Sequence, residues 1–236
     1  MQQSVIVRAC APLLGLALVG CQPESAPPTA AAPAASPAAA AAAQSSVAHT
    51  LVPLPGKENA VPTITRVTRV LLETTAGDVT IEVYPEAAPN AAQRFIELVQ
   101  SGFYDDTPIS RVVPGFVAQF GINWREPHRA WQNRTFRDDP SLFALERGTL
   151  AFAKAGPDTN STQVFINYRE NNQLADPQYN FTVFGKVVSG MDVVDSFVQV
   201  GDPSMGLDQA RLWRDGGAYL DSLPVKPTMI ERATVL

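Results

Sequence analysis

Ser110-Arg-Val-Val-Pro-Gly-Phe-Val-Ala-Gln-Phe-Gly121 sets one permanent cation, Arg111, into an apolar run and follows it with Phe116 and Gln119. Alternation puts Arg111 and Val113 on one face of a strand until Pro114-Gly115 breaks the pattern and re-aims the chain. After such a turn Arg111, Phe116 and Gln119 converge on one spot. A guanidinium in apolar surroundings is costly unless it has a partner. The stretch is therefore either a site or a solvated strand edge carrying an arginine, and the flanking chain decides.

Strand signals at Ile109–Val113 and Phe116–Phe120 bracket the turn. Upstream, Arg66–Thr74 and Asp78–Tyr84 read as a hairpin through Thr75-Ala76-Gly77, with Val79, Ile81 and Val83 on one face. Pro89–Ser101 reads as a helix with the stripe Ala92, Phe95, Ile96 and Val99, ended by Gly102. Downstream, Trp124–Pro140 is polar and irregular. Trp124 and Trp131 are its packing anchors, and Asp138-Asp139-Pro140 reads as a turn. Further strands are expected at Thr149–Phe152, Gln163–Asn167, Asn180–Val188 and Met229–Leu236, with a second helix at Met191–Val198. Residues 200–224 read as less regular. Many short strands with two separated helices indicate an all-β barrel or sandwich, not a parallel α/β fold. The loop Ala153–Asn160 is rich in turn formers but lacks the order of a phosphate loop.

Composition removes several alternatives. The chain has 236 residues and a net charge of −5, without a basic run, so a nucleic-acid partner is disfavoured. Its cysteines, Cys10 and Cys21, both lie near the N-terminus, so the folded part holds neither a disulfide nor a cysteine-based metal site. His49 and His128 are the only histidines, which argues against a Ser–His or Cys–His nucleophile.

Residues 1–20 read as a signal peptide, with Arg8 followed by the apolar run Ala9–Gly20, too short to span a bilayer. Leu18-Val19-Gly20-Cys21 resembles a bacterial lipobox, which implies a lipidated Cys21 as the first mature residue. Gln22 follows, not Asp, which by the same resemblance points to the outer membrane. Residues 21–64, rich in Ala, Pro and Ser, read as a disordered tether reaching roughly 35–40 Å. The folded domain is then 65–236.

That domain resembles the cyclophilin-type peptidyl-prolyl isomerases. The resemblance rests on three ordered blocks: Arg111–Phe116 with Gln119; Ala155–Asn160 with Gln163 and Phe165; and Val183–Val188 leading to Gly190-Met191-Asp192. Gln119–Asn123 and Gly217–Leu220 look like a bacterial branch of that family. The implied fold is a closed eight-stranded antiparallel barrel capped by two α-helices, with the substrate on an outer groove. By resemblance, Arg111 is the catalytic arginine and Gln119 holds substrate backbone. Phe116, Phe165 and Leu174 form the proline pocket, with Val117 where methionine is common. Ala153 and Lys154 hold the peptide in extended form, and Lys154 replaces an asparagine. Phe181 stands where histidine or tyrosine is found elsewhere, and Gln173 where tryptophan or phenylalanine is found.

The implied activity is rotation about X–Pro bonds, whose barrier is about 18–20 kcal/mol. Such an enzyme binds the twisted amide better than either planar isomer, and it needs no metal, nucleotide or covalent intermediate. The expected partners are proline-containing unfolded or extended polypeptides, met by a monomer tethered to a periplasm-facing membrane. The competing reading is a lipid-tethered peptide-binding module or chaperone with little turnover.

Overall fold

The computed structural model describes residues 51–236; the signal peptide, Cys21 and most of the tether lie outside the described residues. Eight strands form the framework: β1 (Thr68–Thr74), β2 (Gly77–Val83), β3 (Thr107–Val113), β4 (Val117–Phe120), β5 (Thr149–Phe152), β6 (Val164–Asn167), β7 (Val183–Ser189) and β8 (Met229–Val235). They close into a barrel in the order β1-β2-β7-β5-β6-β4-β3-β8, and every pairing is antiparallel. Closure removes the sheet edges that an open sheet would leave unpaired.

The interior is packed, not hollow. Phe184 lies with its ring centroid 5.1 Å from Phe95 and 5.2 Å from Phe152. Phe95 belongs to α1 (Pro89–Gln100), whose buried face is Ala91, Ala92, Phe95, Leu98 and Val99. The stripe expected for this helix therefore holds, save that Ile96 is only partly buried. Ala88 cannot cap the helix with its side chain. Asp139, from a distant loop, does so instead. Its carboxylate accepts from the amides of Asn90 (3.2 Å) and Ala91 (2.9 Å). Burial raises the Asp139 pKa, and those two amides oppose the rise.

On β4, β5 and β6 both faces are buried. Ala118, Phe120, Leu150, Phe152, Val164 and Ile166 face the barrel interior. Val117, Ala151 and Phe165, with Val183 of β7, belong to a second apolar cluster on the outside, together with Leu51, Phe143 and Leu145. Period-two alternation thus splits each strand between two cores.

The second cluster corrects the expected domain boundary. Residues 51–64 do not all belong to a free spacer. Leu54 donates its amide to Leu142 O (2.9 Å), and Ala144 donates to Val52 O (2.7 Å). Pro53 pairs with Phe143, and Leu51 is buried. The proline content suggested solvated chain, yet proline is tolerated where a short edge segment is capped on one side only.

The helix count also changes. Besides α1 and the short α2 (Met191–Asp195), a third helix, α3 (Gln209–Asp221), occupies the stretch read as irregular. Asp208 caps it by accepting from the Arg211 amide (2.9 Å). Gly216 breaks its regularity at φ +53°, and a Cβ there would lie 2.2 Å from the Trp124 ring, so the position requires glycine.

Truncation before Val61 should therefore lower stability by about 2–4 kcal/mol relative to a chain beginning at Leu51, from one buried leucine and two backbone hydrogen bonds. Chemical denaturation of the two chains checks this, and equal midpoints would return residues 51–60 to the spacer.

Candidate active site

The hairpin β3–β4 places Arg111 directly opposite Gln119, and the β4–β6 pairing places Gln119 opposite Phe165. Phe165 in turn faces Ala151 on β5, and Ala151 faces Val183 on β7. One lateral row on the outer surface thus carries Arg111, Gln119, Phe165, Ala151 and Val183. The register of β3 shifts between Ile109 and Arg111, a bulge that re-aims the arginine.

Beside this row lies a groove of about 660 Å³. Its lining includes every residue expected of the site: Arg111, Phe116, Val117, Gln119, Ala153, Lys154, Phe165, Leu174 and Phe181. Phe165 and Val117 are buried in its floor, and Phe181 stands edge-on to Phe165 at 5.5 Å and 78°. The Arg111 guanidinium carbon sits 5.8 Å from the Phe116 ring centroid. Gln173 is exposed in the single turn Asn172–Ala175 and is not among the groove residues.

Arg111 is held without being neutralised. Its Nε donates to Ser204 O at 2.7 Å, and Nη1 reaches Gln119 Oε1 at 3.4 Å. Among the described residues it has no carboxylate partner. Burial lowers its pKa, yet an arginine stays protonated throughout the physiological range. Gln119 Nε2 donates to Gln163 Oε1 (2.8 Å), and Gln163 Nε2 donates to Gln209 Oε1 (3.1 Å). This amide chain runs from the arginine to the first turn of α3.

Lys154 behaves differently from Arg111. Its side chain is 4% exposed, and its Nζ bonds Asp138 Oδ2 (2.5 Å) and Asn180 O (3.1 Å). Its charge is therefore satisfied beneath the groove wall, 5.5 Å from the Phe181 ring centroid. The neighbouring loop amides, Ala155 N and Gly156 N, donate to Thr159 Oγ1.

Sequence reading assigned no role to the device that sets Arg111. Asp202 Oδ1 accepts from Ser204 N, Ser204 Oγ and Met205 N, while Asp202 and Gly206 exchange backbone hydrogen bonds. Gly206 adopts φ +74°, and a Cβ there would meet Ser110 O at 2.4 Å and Arg111 Cα at 2.6 Å. The next residue, Leu207, donates to Ser110 O at 2.8 Å. Only glycine lets this loop close against the bulge and present the Ser204 carbonyl. The legible signal was Asp202-Pro203-Ser204 with Gly206, a turn sequence. Gln209 and Trp213 of α3, and Gln132 and Asn133, also line the groove.

The chain is similar to proteins of known family and fold. Residues 69–234 match the family model described as cyclophilin type peptidyl-prolyl cis-trans isomerase/CLD. A peptidyl-prolyl cis-trans isomerase of Acinetobacter baylyi is 36% identical over 148 residues, covering 60% of this chain and 78% of the relative. Peptidyl-prolyl cis-trans isomerase A of Dickeya dadantii is 33% identical over 174 residues, covering 72% and 85%. A cyclophilin-type isomerase crystal structure from Cryptosporidium parvum shares the fold with a TM-score of 0.54 at 23% identity, covering 72% of this chain and 98% of that one. Another structure of the Cryptosporidium protein, determined in the presence of the dipeptide Ala-Pro, has a TM-score of 0.52 at 24% identity and covers 71% and 98%.

Gly206→Ala should lower kcat/KM on a proline peptide by about 10–100-fold, because it displaces Arg111 without removing it. Steady-state assay with circular dichroism as the folding control reads this, and full activity would show that the loop does not position the arginine. On the fold, the family match and these relatives, the chain belongs to the cyclophilin-type peptidyl-prolyl cis-trans isomerases.

Proposed function

We propose that this isomerase acts on envelope proteins, held to the periplasmic face of the outer membrane by a lipid on Cys21. The catalytic observation carrying the proposal is an unneutralised guanidinium beside an apolar pocket, braced by Ser204 O and Gln119. In the twisted X–Pro amide the proline nitrogen regains a lone pair and can accept a hydrogen bond. Among the described residues Arg111 Nη2 has no protein partner, so it is the donor available for that nitrogen. The planar amide offers no such acceptor, so the interaction is stronger in the transition state than in either ground state.

The remaining groups serve that contact. Phe116, Phe165 and Leu174 take the proline ring, and their apolar surroundings strengthen the Arg111 hydrogen bond. Gln119 holds the neighbouring backbone, with its amide fixed by Gln163. Ala153 and its loop support an extended peptide. No proton changes hands, so no general acid or base is needed.

Support for the envelope role comes from the N-terminal sequence alone. Because residues 52–54 already pair with the loop around Phe143, the proposed tether is the stretch between Cys21 and Leu51. The domain is proposed to act as a monomer.

Arg111→Ala should reduce kcat/KM by about 10²–10³-fold with the fold intact, and Arg111→Lys should recover only part of it, lacking the planar fork. The wild-type rate should stay flat from about pH 6 to pH 9. Burial depresses the Arg111 pKa, but deprotonation remains far above that window. Exchange spectroscopy on a short X-Pro peptide measures all three, and near-normal turnover in Arg111→Ala would remove the mechanism. Binding without exchange in the wild type would establish a chaperone instead.

Cys21→Ser should move the protein from the membrane fraction to the soluble fraction after expression in a bacterium. Unchanged partitioning would reject the lipid anchor.

A further inference from the structure

The segment from Trp124 to Arg137 carries Arg125, Arg129, Arg134 and Arg137, all exposed, in a chain of net charge −5. None of the four forms an ion pair among the described residues, whereas most other arginines do. The carboxylates that adjoin the segment are committed elsewhere. Asp138 holds Lys154 and Asn160, Asp139 caps α1, and Asp158 accepts from the Asp138 amide. Asp106 offers Arg125 its backbone oxygen at 3.0 Å, not its carboxylate. Glu126 is the one acid within the segment.

Two of the guanidiniums are pre-set. Arg125 lies 4.5 Å from the Trp124 ring and Arg134 lies 4.7 Å from the Trp131 ring. Stacking holds the plane of a guanidinium while leaving its N–H edge for an anion. The segment is also fastened to the groove. Arg94 Nη1 donates to Arg134 O and, at 3.2 Å, to Ser161 O. Ser161 lines the groove, as do Gln132 and Asn133 of the segment itself.

We propose that this arginine-bearing segment is a docking surface for acidic residues flanking the proline of a client polypeptide. Its occupant is peptide and not lipid, because the surface is continuous with the groove in which the peptide lies. The inference rests on the isomerase reading for the identity of the client. It adds a charge preference that the groove itself, lined by neutral polar and apolar side chains beyond Arg111 and Lys154, does not supply.

The test compares three peptides with one X-Pro core and neutral, triply acidic or triply basic flanks, each flank placed before or after the core. Affinity for the full chain is read by fluorescence anisotropy, which needs no turnover. At low ionic strength the acidic peptide in the productive orientation should bind about 3–10-fold more tightly than the neutral one, and the gain should shrink to within about twofold in ~0.5 M salt. Arg129→Glu/Arg137→Glu should abolish the gain while leaving exchange of the neutral peptide unchanged, and Arg134→Glu should do the same. Equal affinities for the acidic and neutral peptides in both orientations would overturn the proposal, as would an acidic preference that survives the reversed charges. Charge-dependent binding to phosphatidylglycerol vesicles without any acidic-peptide preference would also overturn it and assign the patch to a lipid surface. Absent exchange of the neutral peptide by the wild type would count against the isomerase reading, whatever the flanks do.

Discussion

The structure depends on one constraint: strands β4, β5 and β6 have apolar side chains on both faces and must bury both. The inner face closes the barrel. The outer face has no partner within the barrel, and the chain covers it with the 51–54 segment and the loop around Phe143. What remains uncovered between that cover and β3 is the groove. Its apolar floor is thus the exposed margin of a second core, and its residues are held by the packing that stabilises the domain. Phe165 and Val117 belong to the same cluster as Leu51. Site and scaffold share one set of contacts, so the pocket is shaped before any peptide arrives, which limits the ordering that binding must oppose.

Against that floor the arginine is placed by three independent devices. The hairpin register sets it opposite Gln119, the bulge at Ser110 rotates it, and the Ser204 carbonyl fixes its Nε. Each is backbone-based. A long side chain carries about 2 kcal/mol of rotamer entropy, and fixing it before the reaction removes that term from the barrier. The amide relay through Gln163 to Gln209 ties the same arrangement to α3, so the C-terminal helix packs as part of the site and not only as a cap.

Much of this was legible in the residues. Alternation in Asp78–Val83 and the stripe of α1 announced their core-facing residues, although Glu82 on the other face of β2 is buried too, and Pro114-Gly115 announced the tight turn that brings β4 back along β3. The less legible parts depend on distant partners. Residues 51–54 have no periodicity, because two backbone hydrogen bonds and one leucine are all that dock them. Helix α3 was obscured by Gly216-Gly217, and of the two it is Gly216 whose missing side chain makes room for Trp124, far away in sequence. Asp138 and Asp139 resembled turn residues, yet one pairs with Lys154 and the other caps α1. Lys154 lines the groove, but its inward-turned ammonium could not be seen without knowing where Asp138 lies.

The manner in which the buried and half-buried cations are satisfied separates those that hold structure from those that meet a ligand. Lys154 is neutralised by a carboxylate at 2.5 Å and covered, so it contributes little field to the groove. Arg111 is held by a backbone carbonyl and a side-chain amide, neutral acceptors that orient a guanidinium and offset part of its desolvation but leave its charge intact. Arg94, which holds structure, has a carboxylate partner as Lys154 does: it pairs with Glu97 at 3.6 Å and bonds the carbonyls of Arg134 and Ser161 besides. A carboxylate in place of the Ser204 carbonyl would brace Arg111 equally well in geometry. It would also accept the hydrogen bonds that the twisted amide requires and cancel the charge that stabilises them. Among the described residues no acid stands beside Arg111, which is what the proposed mechanism asks of the groove, and the glycine-closed loop lets a carbonyl take that place.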